Sequence, residues 1–201
     1  MAKTQPFLSD VTELRRRARM HIAQGAVTSS YRGDAKQVCA ILNQALATEI
    51  VCVLRYKRHF YSAKGLNKDA VAAEFLAHAA EEQGHADRIA ERITQLGGEP
   101  DLNPAGLASR SHSEYVVADE LIDMCKENLI AERIAIESYT EIIRYLGDND
   151  PTTRRMMEEI LAVEEEHAND MLDLIEKIKP EHPAPSPARK KTPTRKASKR
   201  R

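Results

Sequence analysis

The sequence predicts an all-α protein built around a bundle of four long helices. Aromatic residues make up only 4% of the 201 residues, and there are only eight glycines, a composition that suits packed helices. Four long segments repeat apolar residues every three or four positions, which is the period of a helix with one buried face. Their connections are short, long and short, and this order predicts two antiparallel hairpins joined by one crossover.

A short helix with a basic face is predicted before the bundle. It begins at Ser9 or Asp10, either of which can cap a helix N-terminus, and extends to about Ala23 through "LRRRARMHI". The stretch "GAVTSSYRGD" interrupts it. We therefore assign three regions: an N-terminal extension with the short helix, a bundle and a tail, over residues 1–34, 35–178 and 179–201.

Recognisable start and stop signals bound the four long helices. Asp34 is a predicted N-cap, Gly97 ends the second helix, and Pro151 occupies a first-turn position that proline tolerates. Pro180 stops the last helix. The predicted helices cover roughly residues 35–62, 68–96, 114–146 and 151–178.

A carboxylate interrupts the apolar stripe of each long helix near its middle. In the second and fourth helices, within "AEEQGHAD" and "VEEEHAND", a histidine follows three residues later, and residues at this spacing share one face. Four carboxylates at one level of a bundle are too costly to bury unless cations accompany them. The residues concerned are Glu49, Glu82, His85, Glu132, Glu164 and His167.

The spacing of these residues shows that the hairpin is repeated. Glu49 and Glu82 are 33 residues apart, and Glu132 and Glu164 are 32 apart. Each hairpin therefore contributes one lone glutamate and one ExxH pair. Four carboxylates and two imidazoles are the ligand set of a carboxylate-bridged two-metal site. Oxygen and imidazole ligands suit iron, and four carboxylates match the charge of two Fe(II) ions.

Neighbouring residues leave some assignments open. Three further carboxylates could shift the register, and we expect them on solvated faces: Glu81, Glu165 and Glu166. Two tyrosines, each seven residues after a lone glutamate, either hydrogen-bond the ligand carboxylates or simply pack in the core: Tyr56 and Tyr139. Three histidines are expected to be structural or exposed: His59, His78 and His112.

The cysteines and the apolar content restrict the class of protein. Three unclustered cysteines favour a reducing cytosol and argue against a disulfide framework or a cysteine zinc site. The sequence has no run of 18 apolar residues and no secretory signal, so we expect a cytoplasmic protein that does not span a membrane. The cysteines are Cys39, Cys52 and Cys125, and the last two are expected to be small buried hydrophobic residues.

The charge of the chain is unevenly distributed. Residues 189–201 contain eight Lys and Arg and no acidic residue, whereas residues 1–180 carry 30 acidic against 22 basic residues. Proline, serine and threonine punctuate the basic tail, which is therefore expected to be disordered. It is either a solubilising tail or a DNA-binding arm, which would associate the protein with the nucleoid.

Four stretches resemble bacterioferritin helices: "ALATEIVCVLRY", "EEQGHADRIAERITQLGGEPDL", "NLIAERIAIESY" and "MMEEILAVEEEHAND". The likeness covers roughly residues 35–178 and implies a ferritin-like four-helix bundle with two iron ions per subunit, manganese being the alternative metal. In that family the ExxH glutamates bridge the irons. The resemblance therefore implies that Glu82 and Glu164 bridge, and that the two irons are completed by Glu49 with His85 and by Glu132 with His167.

Two departures from the bacterioferritin pattern change what is expected. Gln83 stands where that family has a haem-binding Met, so no haem is expected. Pro180 and the basic tail replace the short fifth helix that closes a 24-subunit shell. In this respect the chain looks more like the 12-subunit mini-ferritins, the starved-cell DNA-binding (Dps) proteins. The resemblance implies a homo-oligomer of 12 subunits, with 24 as the alternative.

These resemblances imply a ferroxidase that oxidises Fe(II) with hydrogen peroxide or O2 and stores ferric iron inside a shell, protecting against oxidative damage. Two alternatives remain open. In the first, a nucleoid-protecting mini-ferritin, DNA binding by the tail is the primary function. In the second, the two metals serve a catalase or a peroxidase, although the paired CxxC motif of rubrerythrins is absent.

Overall fold

The computed structural model describes residues 10–65 and 68–178, and every regular element in these ranges is helical. A single turn of 3-10 helix, Ile22–Gln24, follows the first helix. The predicted tail over 179–201 lies outside the described residues. The α-helices are α1 (Val11–Ala18), α2 (Ala35–Ser62), α3 (Lys68–Gln95), α4 (Leu107–Arg110), α5 (Leu121–Leu146) and α6 (Pro151–Ile178).

The four long helices form two hairpins, α2 with α3 and α5 with α6. The hairpins pack together through contacts of α2 with α5 and of α3 with α6, and α4 in the long crossover lies against α2. The predicted all-α fold, a four-helix bundle preceded by a short helix, is confirmed.

Capping explains where the long helices begin and end. The Asp34 carboxylate accepts a hydrogen bond from the backbone N–H of Gln37 at 3.1 Å, as an N-cap should. At the end of α3, Gly97 has a φ of +80°, and the N–H of Gly98 bonds to the carbonyl of Ile93 at 2.9 Å. The left-handed conformation of Gly97 allows the backbone N–H groups that follow α3 to bond with its last carbonyls, and it ends the helix.

The first helix is shorter than predicted. Asp10 caps it, accepting a hydrogen bond from the N–H of Thr12 at 2.6 Å, while the alternative cap, Ser9, lies outside the described residues. The helix ends at Ala18 rather than about Ala23, because His21 adopts a left-handed conformation with φ +53°. No residue of α1 is buried, so no tertiary packing extends this marginal helix.

The third long helix also begins later than predicted, at Leu121 instead of about residue 114. The segment before it is hydrogen-bonded to α2. The N–H of His112 donates to Thr48 Oγ1 at 2.9 Å, and the buried guanidinium of Arg55 donates to the carbonyl of Glu114 at 3.0 Å. The second bond satisfies the Glu114 carbonyl, which a helix beginning at residue 114 would have paired internally.

The core consists of two apolar clusters separated along the helices by a polar layer. The first includes Leu42, Leu46, Ile89, Tyr139 and Ile160. The second includes Tyr56, Phe75, Met124, Cys125 and Met171. Because each long helix contributes to both clusters, the residues between them on every helix are held at one level and are screened from water.

Helix α2 is long and apolar enough to cross a membrane by length and composition alone, with a mean hydropathy of 1.6 in its most apolar window. However, 61% of that window is buried inside the bundle. A core helix of a soluble protein passes the same test, so this is weak evidence for a membrane span.

Candidate metal centre

All six residues singled out from the sequence meet in the polar layer between the two apolar clusters. None is more than 5% exposed. Helices α2 and α5 each contribute one glutamate, and α3 and α6 each contribute one ExxH pair. The six residues are Glu49, Glu82, His85, Glu132, Glu164 and His167.

The oxygen and nitrogen atoms of these residues form two overlapping groups, and within each group the atoms lie within 4.8 Å of one another. Glu82 and Glu164 belong to both groups and therefore occupy the positions from which a carboxylate could bridge two ions. Each group offers three carboxylates and one imidazole. The groups are Glu49, Glu82, His85 and Glu164, and Glu82, Glu132, Glu164 and His167.

Each of the six side chains has at least one buried polar atom that makes no well-aligned hydrogen bond among the described residues. The contacts of these atoms with one another include ion pairs, such as Nδ1 of His85 with Oε1 of Glu164 at 2.9 Å. Leaving such an atom unsatisfied costs about 1–3 kcal/mol, and more when it is charged. A fold retains so many of them in one place where a ligand satisfies them. Carboxylate oxygens and imidazole nitrogens are donors that suit iron and manganese, so the residues fit a pair of such ions.

Without metal, the layer binds protons in place of ions. Burial and the charges of Glu82 and Glu164 raise the pKa of Glu49 well above its usual value, and burial raises that of Glu132 in the same way. Burial alone would raise the pKa of Glu82 too, but hydrogen bonds with Glu49, His167 and His85 lower it instead. The metal-free layer thus combines a carboxyl group that loses its proton easily with two that hold their protons to a higher pH than usual.

The two histidines are positively charged in this metal-free layer. Burial opposes their protonation, but their bonds to Glu164 and the other carboxylates outweigh it. The pKa of His85 is raised to about 12 and that of His167 to about 11. Metal ions entering the layer must therefore displace protons from both kinds of ligand.

Each hairpin orients the lone glutamate of the other. The hydroxyl of Tyr56 on α2 donates a hydrogen bond to Glu132 on α5, and that of Tyr139 on α5 donates one to Glu49 on α2. Both tyrosines are fully buried. Both interpretations of the tyrosines therefore apply: they pack in the core, and they hydrogen-bond the candidate ligands.

Sequence reasoning missed the part played by Glu81, which it placed on a solvated face. Glu81 is 55% exposed, yet its carboxylate accepts a hydrogen bond from Nε2 of His167 at 2.7 Å. That bond leaves Nδ1 facing Glu82 and Glu164, at 3.5 and 3.6 Å. The sequence could not predict this bond, because it joins residues of two different hairpins. The additional glutamate beside Glu82 in "AEEQGHAD" was the only local sign of it.

His78, which was expected to be either structural or exposed, is buried beside the layer. It is 2% exposed, and its ring stacks on that of His167 with 4.0 Å between centroids. Its Nδ1 lies 3.1 Å from the hydroxyl of Tyr56. His78 lies four residues before Glu82 and therefore on the same face of α3. This spacing could have predicted its place beside the layer from the sequence.

The remaining candidate residues lie where they do not reach the layer as ligands. Cys52 and Cys125 are buried free thiols, as expected. Gln83 is exposed, and its amide donates to Asp87 at 2.9 Å. The expectation that no haem binds through this position stays a prediction.

The family model of the ferritin-like domain matches residues 39–180. The chain belongs to the ferritin-like family.

Individual relatives agree with the resemblance to bacterioferritins and Dps proteins, which is confirmed. The bacterioferritin of Desulfovibrio desulfuricans is 30% identical over 138 residues, covering 68% of this chain and 73% of the relative. A solved structure of D. desulfuricans bacterioferritin, described by its diiron site, has a TM-score of 0.64 at 26% identity, covering 72% of this chain and 81% of that one.

Two further relatives broaden the comparison. A dodecameric thioferritin, the bacterioferritin-related protein of Bacteroides fragilis, has a TM-score of 0.70 at 34% identity, covering 73% of this chain and 89% of that one. The DNA protection during starvation protein of Pyrococcus furiosus is 29% identical over 137 residues, covering 67% of this chain and 74% of the relative.

Proposed function

We propose that this protein is a ferroxidase that oxidises Fe(II) at the six-residue layer and stores the ferric product inside a homo-oligomeric shell. One observation carries the proposal: two buried ligand groups share Glu82 and Glu164, and each of the six side chains has a buried polar atom that makes no well-aligned hydrogen bond among the described residues. The diiron site of the bacterioferritin relative supports iron as the metal, with two ions per subunit. Manganese is the alternative metal that the same ligands would accept.

The two ligand groups suit a reaction that removes one electron from each of two ions. Hydrogen peroxide takes up two electrons and two protons as its O–O bond breaks, giving two water molecules and two Fe(III). Holding both Fe(II) ions with shared carboxylates places both electrons beside one oxidant. The carboxylates then stabilise the higher charge of the ferric product, which oxygen ligands favour. O2 is the alternative oxidant.

A cleft between α3 and α6 connects this layer with solvent. It has a volume of about 390 Å³, and both histidines of the ExxH pairs line it. Acidic side chains at its mouth, Glu74, Glu81 and Asp170, favour the approach of cations over anions. We propose this cleft as the route by which Fe(II) enters.

Storage requires a shell, and we propose a homo-oligomer of 12 subunits in the cytoplasm. The dodecameric bacterioferritin-related protein, at 34% identity, supports this number over the alternative of 24. Native mass spectrometry of the full chain tests it. Twelve subunits are expected, 24 would indicate a bacterioferritin-type shell, and a monomer or dimer would contradict storage.

The ferroxidase proposal is tested by stopped-flow oxidation of anaerobically loaded Fe(II), with O2 and hydrogen peroxide compared side by side. A Glu82→Ala/Glu164→Ala variant removes both shared carboxylates and is expected to lose the fast phase while keeping its helical circular dichroism. Glu165→Gln, an exposed neighbour of Glu164, is the matched control and should oxidise iron at the wild-type rate. Wild-type rates in the double variant would refute the proposal.

The catalase or peroxidase alternative predicts a different consumption of peroxide. A catalase evolves O2 from hydrogen peroxide in the absence of excess Fe(II), whereas the proposed ferroxidase consumes one peroxide for every two Fe(II). An oxygen electrode combined with an Fe(II) titration separates the two.

A further inference from the structure

We propose that Glu74, His78 and Asp170 form a separate cation site, at the mouth of the cleft, that takes one divalent transition-metal ion. It would be a third metal position, additional to the pair of ions assigned to the buried layer. It does not depend on whether that layer oxidises iron.

The three side chains converge from both hairpins. Nε2 of His78 lies 3.6 Å from Glu74 Oε1 and 3.5 Å from Asp170 Oδ2, and one ligand atom from each residue lies within 4.8 Å of the others. Glu74 and His78 are one turn apart on α3, and Asp170 is on α6. Ligands about 2.0–2.2 Å from a tetrahedral ion stand roughly 3.3–3.6 Å apart, so these separations suit an ion between them.

The hydrogen bond on the other side of the His78 ring decides which nitrogen is free to bind. The Tyr56 hydroxyl donates its hydrogen bond to Glu132, so the hydroxyl oxygen can only accept from His78. Nδ1 of His78, 3.1 Å away, therefore carries the proton. In this tautomer Nε2 presents a lone pair to the two carboxylates.

Three acceptors consequently face one another around the mouth of the cleft. The separations of 3.5 and 3.6 Å are long for hydrogen bonds, and His78 itself is only 2% exposed. The carboxylates are partly exposed, at 42% for Glu74 and 51% for Asp170, so a hydrated ion can reach them from solvent. An ion placed here would satisfy all three acceptors at once.

The ligand types indicate the class of ion. One imidazole with two carboxylates suits Fe(II), Zn(II), Mn(II) or Co(II), whereas Mg(II) and Ca(II) prefer oxygen ligands alone. The ring of His78 stacks on the candidate ligand His167, with 4.0 Å between centroids. The site therefore lies between solvent and the buried layer, where a cation could bind before it enters the layer.

Zn(II) is the probe, because it cannot be oxidised and so reports binding without the reaction. Calorimetric titration of the full-length oligomer is expected to give three Zn(II) per chain. Diffraction at the zinc absorption edge is expected to show a peak about 2.0–2.2 Å from Nε2 of His78, in contact with Glu74 and Asp170.

Substitutions separate this site from the buried layer. Glu74→Gln/Asp170→Asn should lower the stoichiometry from three to two, while Glu166→Gln, an exposed residue that lines the same cleft, should keep three. Glu82→Gln/Glu164→Gln should weaken the buried pair and retain the peak at His78, so failure of the ferroxidase proposal can be told from failure of this one.

Two results would overturn the proposal. One is an unchanged Zn(II) stoichiometry in Glu74→Gln/Asp170→Asn. The other is a zinc peak bound by Glu81 and His167 instead of Glu74 and Asp170, since those residues form an overlapping group with His78. Thermal melts of the variants confirm that any loss of zinc does not reflect unfolding.

Discussion

The Tyr56 hydroxyl donates a hydrogen bond across the bundle to the buried carboxylate of Glu132. The oxygen of the same hydroxyl lies 3.1 Å from Nδ1 of His78, so one side chain connects the buried layer with the mouth of the cleft. Tyr139 and Glu49 repeat the bond in the other direction. The repeated hairpin is thus visible in the contacts around the layer as well as in its ligands.

Replacing Tyr56 with phenylalanine is expected to weaken metal binding without unfolding the protein. The ring keeps its packing, but Glu132 loses the donor that orients it, and loss of such a partner typically costs about 10–100-fold in metal affinity. Anaerobic Co(II) titration followed by absorption measures the affinity. Tyr61→Phe, on a side chain that is 82% exposed, is the control and should bind like wild type.

Metal loading is expected to stabilise the fold, because the ligands come together only in the folded state. At a free metal concentration 100 times the dissociation constant, linkage gives about 2.7 kcal/mol for one site. Differential scanning calorimetry with and without Mn(II) measures the shift in Tm. The Glu82→Ala/Glu164→Ala variant should show a smaller shift, limited to what the site at Glu74, His78 and Asp170 contributes. A full shift in that variant would mean that the buried layer is not the main metal site.

The stability of the metal-free protein is expected to fall as the pH rises from 7 to 8.5. The folded layer keeps protons on His85 and His167, whose pKa values are raised to about 12 and about 11, whereas the unfolded chain has lost them above about pH 6.5. Because the folded state binds more protons, its stability falls with pH, by at most about 1.4 kcal/mol per pH unit for each extra proton.

The metal-loaded protein provides the control for this pH dependence. Its ligands have already released their protons, so its stability should change much less over the same range. Urea unfolding of both forms at pH 7 and 8.5 measures the difference. A metal-free protein that becomes more stable over this range would contradict the assigned protonation.

The isolated protein is expected to lack stoichiometric haem. Gln83 is bonded to Asp87 on the surface of α3 and cannot supply a thioether ligand. The absorption spectrum of protein expressed with added haem precursor tests this. A Soret band corresponding to about one haem per two subunits would show that another residue serves as the axial ligand.

The basic tail is expected to bind DNA when many copies are displayed on one oligomer. Eight Lys and Arg without an acidic residue provide phosphate contacts, and multivalency compensates for weak single tails. Mobility shifts of the full chain and of a chain ending at Lys179, at low and physiological salt, test it. Binding should not depend on the DNA sequence, should weaken as the salt concentration rises and should disappear on truncation. Equal binding by the full and the truncated chain would show that the tail is not the DNA-binding segment.

Local signals in the sequence were sufficient to predict the four-helix bundle and to single out the six residues that meet in the layer. Helical periodicity and caps such as Asp34 depend on residues a few positions apart, so the long helices could be placed from the sequence. The i, i+3 spacing of Glu82 with His85, repeated in Glu164 with His167, put both groups of each pair on one face. A repeated hairpin then had to bring the pairs to one level.

Only the tertiary structure decided the features that depend on contacts between distant segments. Arg55 and Thr48 bind the chain before Leu121 and so delay the start of α5, a competition that no local propensity reveals. Glu81 and His78 acquire their positions through His167 and Tyr56, which lie on other helices. Periodicity determines which face of a helix is buried, but the partner that each polar atom meets depends on how the hairpins pack against each other.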